Sequence, residues 1–222
     1  MLKAEAEEAA AIAQNLLGAI LSSIATRGRS GAELRTAVGD FTANALRLIQ
    51  TDQAGSPLAN IFELTRKAGM TLPQLANVRT VAAAETPSTL GAILMRNSLI
   101  NFALATESRV IADTSFASRN AAEAIKDAMN AGFSAMEEIA ADDMDSATYQ
   151  ALVALHGAVT FHLIETERPL PRMLNFQFVA PGTTLVFAYK LYDDAGRADE
   201  LREENRVIHP AFMRPTGQAL SA

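Results

Sequence analysis

The chain has 222 residues, of which 49% are apolar, and it contains neither cysteine nor tryptophan. This length suits one large or two small domains, and the lack of cysteine excludes disulfides, thiolate metal sites and a cysteine nucleophile. The formal net charge is −6, and neither the C-terminal tail nor the remainder is basic. Direct binding to nucleic acid is therefore not expected. Alanine supplies much of the apolar fraction, which favours closely packed helices.

The first predicted helix runs from about Leu2 to Ala25, with Arg27 just beyond its end. Residues 9–26 carry no charged side chain, but the large apolar residues share one helical face and acidic residues precede them. We therefore expect a helix with one apolar face, core or interface, and not a membrane span. Ser30 and Glu33 form a capping-box pattern that predicts the start of a second helix. Its predicted apolar side consists of Leu34, Val38, Phe41, Ala45, Leu48 and Ile49.

Glycine and proline divide the middle of the chain. Gly55-Ser56-Pro57 is predicted to end the second helix, before a short helix from about Leu58 to Ala68. Thr71-Leu72-Pro73 predicts one more short helical turn. Thr86-Pro87 is typical of a helix start, and the helix predicted from Pro87 to about Asp113 is apolar on most sides. Such a helix is expected at the centre of a bundle.

Two further long helices are predicted before the composition changes, one over residues 118–140 and one that follows the acidic residues Asp142, Asp143 and Asp145. Pro169 and Pro171 then prevent a helix from continuing. We place a domain boundary there, which divides the chain into a helical bundle domain (1–168) and a small C-terminal module (173–222).

The C-terminal module is predicted to contain a strand, two helices and a second strand. Leu174, Phe176 and Phe178 alternate with polar residues, which is typical of a strand. The first helix covers residues 185–192 with Thr183 or Thr184 as its cap, and the second ends near Asn205, whose side chain is placed to tie the helix end to the next loop. The alternative is a helical hairpin with a frayed end. The predicted core consists of Leu185, Ala188, Tyr189 or Leu191, Ala198, Leu201, Ile208, Phe212 and Leu220.

Motifs in this module support a resemblance. Pro181-Gly182-Thr183-Thr184-Leu185, Asn205, Ile208, Pro210 and Pro215-Thr216-Gly217-Gln218 occur in the order found in the lysin-motif (LysM) module, which the segment from Phe176 to Leu220 resembles. The resemblance implies a mainly α fold class: an alanine-rich helical bundle followed by a small α+β LysM-like (βααβ) module.

A wider resemblance covers about residues 145–215. The motifs are residues 147–152, 169–171, 188–192, 197–201 and 205–210, and they are similar to the C-terminal part of the Mu-like phage DNA circularisation family. The resemblance implies a structural protein of the tail and baseplate of contractile-tailed phages. It implies a place in the virion after assembly in the host cytoplasm, other tail and baseplate proteins as partners, and a homo-oligomer with sixfold or threefold symmetry.

Residues with catalytic potential do not form a recognisable site. His156 and His162 point to different sides of a helix, and His209 precedes Pro210 in a loop. The aspartates at 142, 143 and 145 lack calcium-loop spacing and suit a helix N-terminus instead. No phosphate-binding loop or nucleophile motif is present. We therefore predict a protein without catalytic residues, metal or cofactor.

Three functions remain open. The first is a structural tail protein at the tube–baseplate junction or hub, whose LysM-like module is an adaptor for other tail proteins. The second is a peptidoglycan-binding protein, and the third is a DNA-end-binding circularisation protein. The residues predicted to contact a partner protein are Tyr189, Tyr192, Arg197, Arg206, His209 and Phe212.

Overall fold

The structure, a computed structural model, describes residues 3–24 and 28–221. It is mainly helical, with a small two-stranded antiparallel sheet near the C-terminus, which confirms the predicted bundle followed by a small α+β part. The first helices in chain order are α1 (Lys3–Ser23), α2 (Arg29–Gln50), α3 (Gly55–Lys67), α4 (Leu72–Ala84), α5 (Leu90–Ala112), α6 (Arg119–Asp142) and α7 (Ser146–Glu167). The C-terminal elements are β1 (Met173–Gln177), α8 (Thr184–Tyr192), a 3-10 turn (Ala195–Arg197), α9 (Ala198–Glu204) and β2 (Thr216–Leu220).

The chain divides into two compact units. Unit 1 comprises Met1–Thr114 and Met129–Val159, and unit 2 comprises Ser115–Ala128 and Thr160–Ala222. The boundary predicted between residues 168 and 173 falls inside unit 2, where α7 ends and β1 begins. Within the described part of the chain, no helix combines the length and the apolar character that a membrane span requires.

Helix α5 is the centre of unit 1, as its apolar composition predicted. It packs against α1, α3 and α4. Small residues on α1, such as Ala9 and Ala13, are fully buried, so the backbones of neighbouring helices approach closely. The buried carboxylate of Glu107 in α5 accepts a hydrogen bond from Arg79 of α4 at 3.0 Å, and burial raises the pKa of Glu107. All six residues predicted for the apolar side of α2 are buried.

Several helix starts differ from the predictions. The capping box at Ser30 is wrong: α2 already begins at Arg29, after Gly28, and no side chain caps it. Gly55-Ser56-Pro57 does not lie between helices but forms the first turn of α3. Proline is tolerated in a first turn, because its missing N–H would lack a helical acceptor there anyway. The predicted bounds Leu2 and Ala25, together with Arg27, lie outside the described residues.

Two threonines define the starts of α4 and α5. Thr71 forms a capping box with Gln74, so Thr71-Leu72-Pro73 begins a helix of 13 residues and not a short turn. The start predicted at Thr86-Pro87 is wrong, because α5 begins at Leu90 after Thr89. Glu8 of α1 explains this position. Its carboxylate accepts from the backbone and hydroxyl groups of Ser88 and Thr89 and fixes the chain just before the helix.

The strands of unit 2 pair in one antiparallel register, with Met173 opposite Leu220 and Gln177 opposite Thr216. The order β1–α8–α9–β2 confirms the predicted strand–helix–helix–strand arrangement. The core of this module consists of Phe176, Phe187, Ala188, Leu201, Met213 and Ala219. Phe178 stacks on Phe187 with ring centroids 4.2 Å apart, so the module has a small aromatic centre.

Three residues predicted for this core, Leu185, Ile208 and Phe212, are exposed instead. Of the two alternatives Tyr189 and Leu191, Leu191 packs against the core, and so does Ala198 as predicted. Leu185 and Tyr189 face solvent because α8 buries Phe187 and Ala188. Ile208 is 99% and Phe212 78% exposed. Met213, the residue after Phe212, occupies the core in their place at 1% exposure. Ala188, Leu201 and Leu220 are buried as predicted.

Close packing requires glycine at two positions of the module. A Cβ atom at Gly182 would lie 2.6 Å from Cε1 of Phe187, and one at Gly217 would lie 2.7 Å from Cζ of Phe176. A Cβ at Gly217 would also overlap the side-chain oxygen of Asn205. The Pro181-Gly182 and Pro215-Thr216-Gly217 motifs therefore have a packing reason in this structure.

Candidate functional site

The predicted contact residues separate into three places within unit 2. Tyr192 and Arg197 contact each other near the end of α8. Tyr189 is exposed on α8. Arg206, His209 and Phe212 line one groove, which is formed by the loop between α9 and β2. The structure therefore brings together three of the predicted contact residues at one candidate site.

Tyr192 and Arg197 have a structural role. The guanidinium carbon of Arg197 lies 3.8 Å from the ring centroid of Tyr192, within the range of a cation–π contact. The same guanidinium binds both carboxylate oxygens of Glu200, at 2.7 Å and 3.2 Å. This pairing raises the pKa of Arg197, and burial raises the pKa of Tyr192. These groups are engaged within the module, so they are poorly placed to contact a partner.

The groove begins where α9 ends. Asn205 donates to the carbonyl of Leu201 and to the carbonyl of Gln218 in β2, at 2.8 Å and 2.7 Å. Its side-chain oxygen accepts from the backbone N–H of Gln218 at 2.8 Å. Asn205 does hold the helix end, but it ties it to the strand β2 and not to the next loop as predicted. Arg206 follows with φ of 51°, a left-handed conformation that turns the chain away from the helix axis.

Backbone hydrogen bonds hold the rest of the loop. Thr184 N–H donates to the carbonyl of Pro210 at 2.8 Å. Gly182 and Met213 exchange two bonds, at 3.2 Å and 2.8 Å, and Phe178 N–H donates to the carbonyl of Pro215 at 2.7 Å. The loop is therefore attached to the β1–α8 connection along its length, and its side chains are displayed from a fixed backbone.

A local turn positions His209 and Phe212. The N–H of Phe212 donates to the carbonyl of His209 at 3.0 Å, and the N–H of Ala211 donates to Nδ1 of the His209 ring at 3.2 Å. The two rings lie 5.4 Å apart between centroids. Nδ1 is therefore engaged as an acceptor within the turn.

The groove has a volume of about 610 Å³ and is lined by Asn205, Arg206, Val207, Ile208, His209, Phe212, Met213, Arg214 and Thr216. No acidic residue is among them. Neither Arg206 nor Arg214 forms an ion pair with any residue that the structure describes. The site therefore combines two free positive charges with two large exposed apolar side chains, and we call it the basic groove.

Sequence reasoning missed Arg214 and misplaced Ile208 and Phe212 in the core. One available signal was their position in a connection that contains two prolines, Pro210 and Pro215. Residues in a proline-rich connection lie mostly on the surface, and two exposed apolar residues there are a stronger indication of a contact site than of packing.

Two titratable residues considered in the sequence analysis, His156 and Asp145, have structural partners. His156 lies between Glu137 and Asn130, at 2.9 Å and 3.0 Å, and stacks on Phe133. Asp145 accepts from Thr148 at the start of α7, and these hydrogen bonds lower its pKa. This confirms the helix N-terminus interpretation of Asp145. Over residues 3–24 and 28–221, His, Asp and Glu side chains form no cluster suited to hold a metal ion.

Neither the models of known protein families nor the curated protein sequences match this chain. The class that the fold defines is a helical bundle with a small C-terminal βααβ module that displays a basic groove.

Proposed function

We propose that this chain is a structural component of a contractile phage tail, at the tube–baseplate junction or hub. In this proposal its C-terminal segment is a LysM-like adaptor module that docks onto other tail and baseplate proteins. The helical bundle carries the module and assembles with further copies into a threefold or sixfold ring. The chain acts by binding, without catalytic residues.

The observation that carries the docking role is the exposure of Ile208 and Phe212 on a loop that is hydrogen-bonded along its length. Full burial of a large apolar side chain contributes about 1.5–3 kcal/mol, and an exposed side chain does not gain this free energy until a partner covers it. Two such residues that line one groove are typical of the central anchors of a protein interface. A preformed surface also reduces the entropy lost on binding.

Two further features support the LysM-like assignment. The strand–helix–helix–strand order and the antiparallel pairing of β1 with β2 agree with the arrangement that the motif order implied. Gly182, Asn205 and Gly217, which belong to those motifs, each make a contact that another residue type would disturb. The motif residues therefore support one another physically, which favours the LysM-like assignment over a chance pattern.

A peptidoglycan-binding module is the second candidate. The groove favours it to the extent that Phe212 presents an exposed ring, since aromatic faces pack against sugar rings. The unpaired arginines fit a partner that presents carboxylates, which the sugar rings themselves lack.

The proposal is tested on assembled particles. Phage tails purified from a producing host are analysed by mass spectrometry, and the chain is located with an antibody against it by electron microscopy. Stoichiometric presence at the baseplate end of the tail is the expected result. Absence of the chain from purified tails, while it is present in the same lysate, would refute the tail assignment.

A further inference from the structure

We infer that the basic groove binds an acidic segment of a partner protein, in which carboxylates flank an apolar side chain. This inference rests on the proposed docking role and names the chemistry of the docked segment. The inference is argued from three properties of the groove, which are its charge, its apolar anchors and its fixed backbone.

The charge of the groove is opposite to that of the whole chain. The net charge of the chain is −6, yet Arg206 and Arg214 line the groove and no acidic residue does. In the nearby acidic helix α9, Glu200 pairs with Arg197 and Asp199 lies 3.7 Å from Arg202, whereas Glu203 and Glu204 form no ion pair with a described residue. No carboxylate of α9 is therefore paired with Arg206 or Arg214. The guanidinium groups of the groove therefore remain available, and their preferred partners are carboxylates, which they bind in a bidentate manner.

The apolar anchors lie between these two charges along the chain. Ile208 follows Arg206 by two positions, and Phe212 precedes Arg214 by two positions. All four residues line the groove, so a docked segment meets positive charge and apolar surface together. Carboxylates that flank a leucine or phenylalanine match this pattern, since charged contacts at the rim and apolar contacts at the centre are the usual arrangement of an interface.

Charge also favours a protein segment over other polymers. A nucleic acid requires neutralisation of several phosphates, and the groove offers only two arginines. A neutral glycan gains nothing from unpaired arginines. A short acidic stretch of protein satisfies the arginines and the apolar anchors together.

The binding test uses the full chain and a fluorescent peptide of sequence Glu-Glu-Leu-Glu-Phe-Glu-Glu, measured by fluorescence anisotropy. Matched peptides carry Gln or Lys in place of Glu. We expect saturable binding of the Glu peptide, at least tenfold weaker binding of the Gln peptide and none of the Lys peptide. Raising the salt from about 50 mM to about 500 mM should weaken binding several-fold.

Variants assign the binding to the groove. Arg206→Glu with Arg214→Glu should abolish binding of the Glu peptide and favour the Lys peptide. Ile208→Ser with Phe212→Ser should weaken binding roughly tenfold or more, in line with the loss of two apolar anchors. Arg47→Glu, at an exposed position of α2, makes the net charge more negative without touching the groove and should leave binding unchanged. Circular dichroism and hydrogen exchange of β1 and β2 check that each variant is folded.

The outcomes separate this inference from the proposed function. Absence of saturable binding of the Glu peptide below about 1 mM, in a chain found at the baseplate of purified tails, refutes the inference and leaves the tail assignment intact. Binding to the Glu peptide by a chain absent from tails supports the groove chemistry alone.

Two other occupants of the basic groove would give different experimental results. Salt-sensitive self-association that Arg206→Glu with Arg214→Glu removes would identify a second copy of this chain and overturn the choice of partner. Retention on peptidoglycan that the same variant removes would identify a glycan and overturn it as well.

Discussion

Replacing Asn205 by alanine should open the small sheet, because one side chain joins α9 to β2. The variant loses the bond to the Leu201 carbonyl and both bonds to the backbone of Gln218. A typical intramolecular hydrogen bond contributes about 1 kcal/mol net. The bonds to Gln218 are exposed, and water replaces part of their value, so each contributes about 0.5 kcal/mol. The total is about 2 kcal/mol, or roughly a 30-fold increase in local opening.

Native-state hydrogen exchange detected by mass spectrometry measures this opening in the full chain. Exchange of the β1 and β2 amides should accelerate roughly 30-fold in Asn205→Ala, while the amides of α1 and α5 in unit 1 should be unaffected. Gln218→Ala is the matched control, because only the backbone of Gln218 takes part in the bonds to Asn205.

Acceleration of less than about threefold in Asn205→Ala would refute the reasoning, since it would mean that water replaces these bonds at almost no cost. Equal acceleration in Gln218→Ala would refute it as well, because the effect would then belong to the strand and not to the bridging amide.

Three further predictions concern other parts of the chain. Gly182→Ala should destabilise unit 2 by about 1–3 kcal/mol because of the contact with Phe187. Gly157→Ala, in a helix with open space around it, should stabilise the chain by about 0.5–1 kcal/mol. Urea unfolding checks both variants, and similar effects at the two sites would contradict the packing argument. Hydrogen bonds from Thr89 and Ser88 lower the pKa of Glu8 to about 2 from 4.5, so its contribution is fully present above about pH 4.5 and is lost as the pH falls towards 2. Glu8→Gln should therefore destabilise the chain at pH 7 and much less at pH 2. Thermal unfolding of both proteins at the two pH values measures this, and an equal difference in Tm between variant and parent at both pH values would disprove it. Linear DNA should show no gel shift with the chain at physiological salt, and a shift that competitor DNA reverses would support the circularisation function instead.

The sequence predicted those features that depend on local spacing. The apolar side of α2 follows from its helical period, and β1 follows from the alternation of Phe176 with its polar neighbours. The order of elements in the C-terminal module was predicted for the same reason, since each segment carries its own period and its own turn residues.

Features that depend on distant residues were not predictable from these patterns. The start of α5 is determined by Glu8, which lies about 80 positions earlier in the chain. The Thr86-Pro87 pair therefore resembled a helix start, although Thr89 is the residue that caps α5. Local sequence identifies residues able to cap a helix, but the tertiary partner selects among them.

The basic groove shows the same limit. Ile208, Phe212 and Met213 are all apolar, and the pattern does not tell which of them fills the last space in a small core. Phe176, Phe187 and Met213 fill it, so the other two remain outside. Arg206, His209 and Phe212 were predicted as contact residues from composition, whereas their convergence on one groove depends on the bonds between the loop and the β1–α8 connection.

Asparagine side chains also occupy both free edges of the sheet. On β2, Asn205 takes the backbone N–H and carbonyl of Gln218, and on β1 the side-chain oxygen of Asn120 accepts from the N–H of Met173 at 2.8 Å. An open edge offers its donors and acceptors to any extended chain and invites stacking into fibrils. Each edge therefore has a backbone group already bonded to a side chain, which disfavours the addition of a strand from another copy.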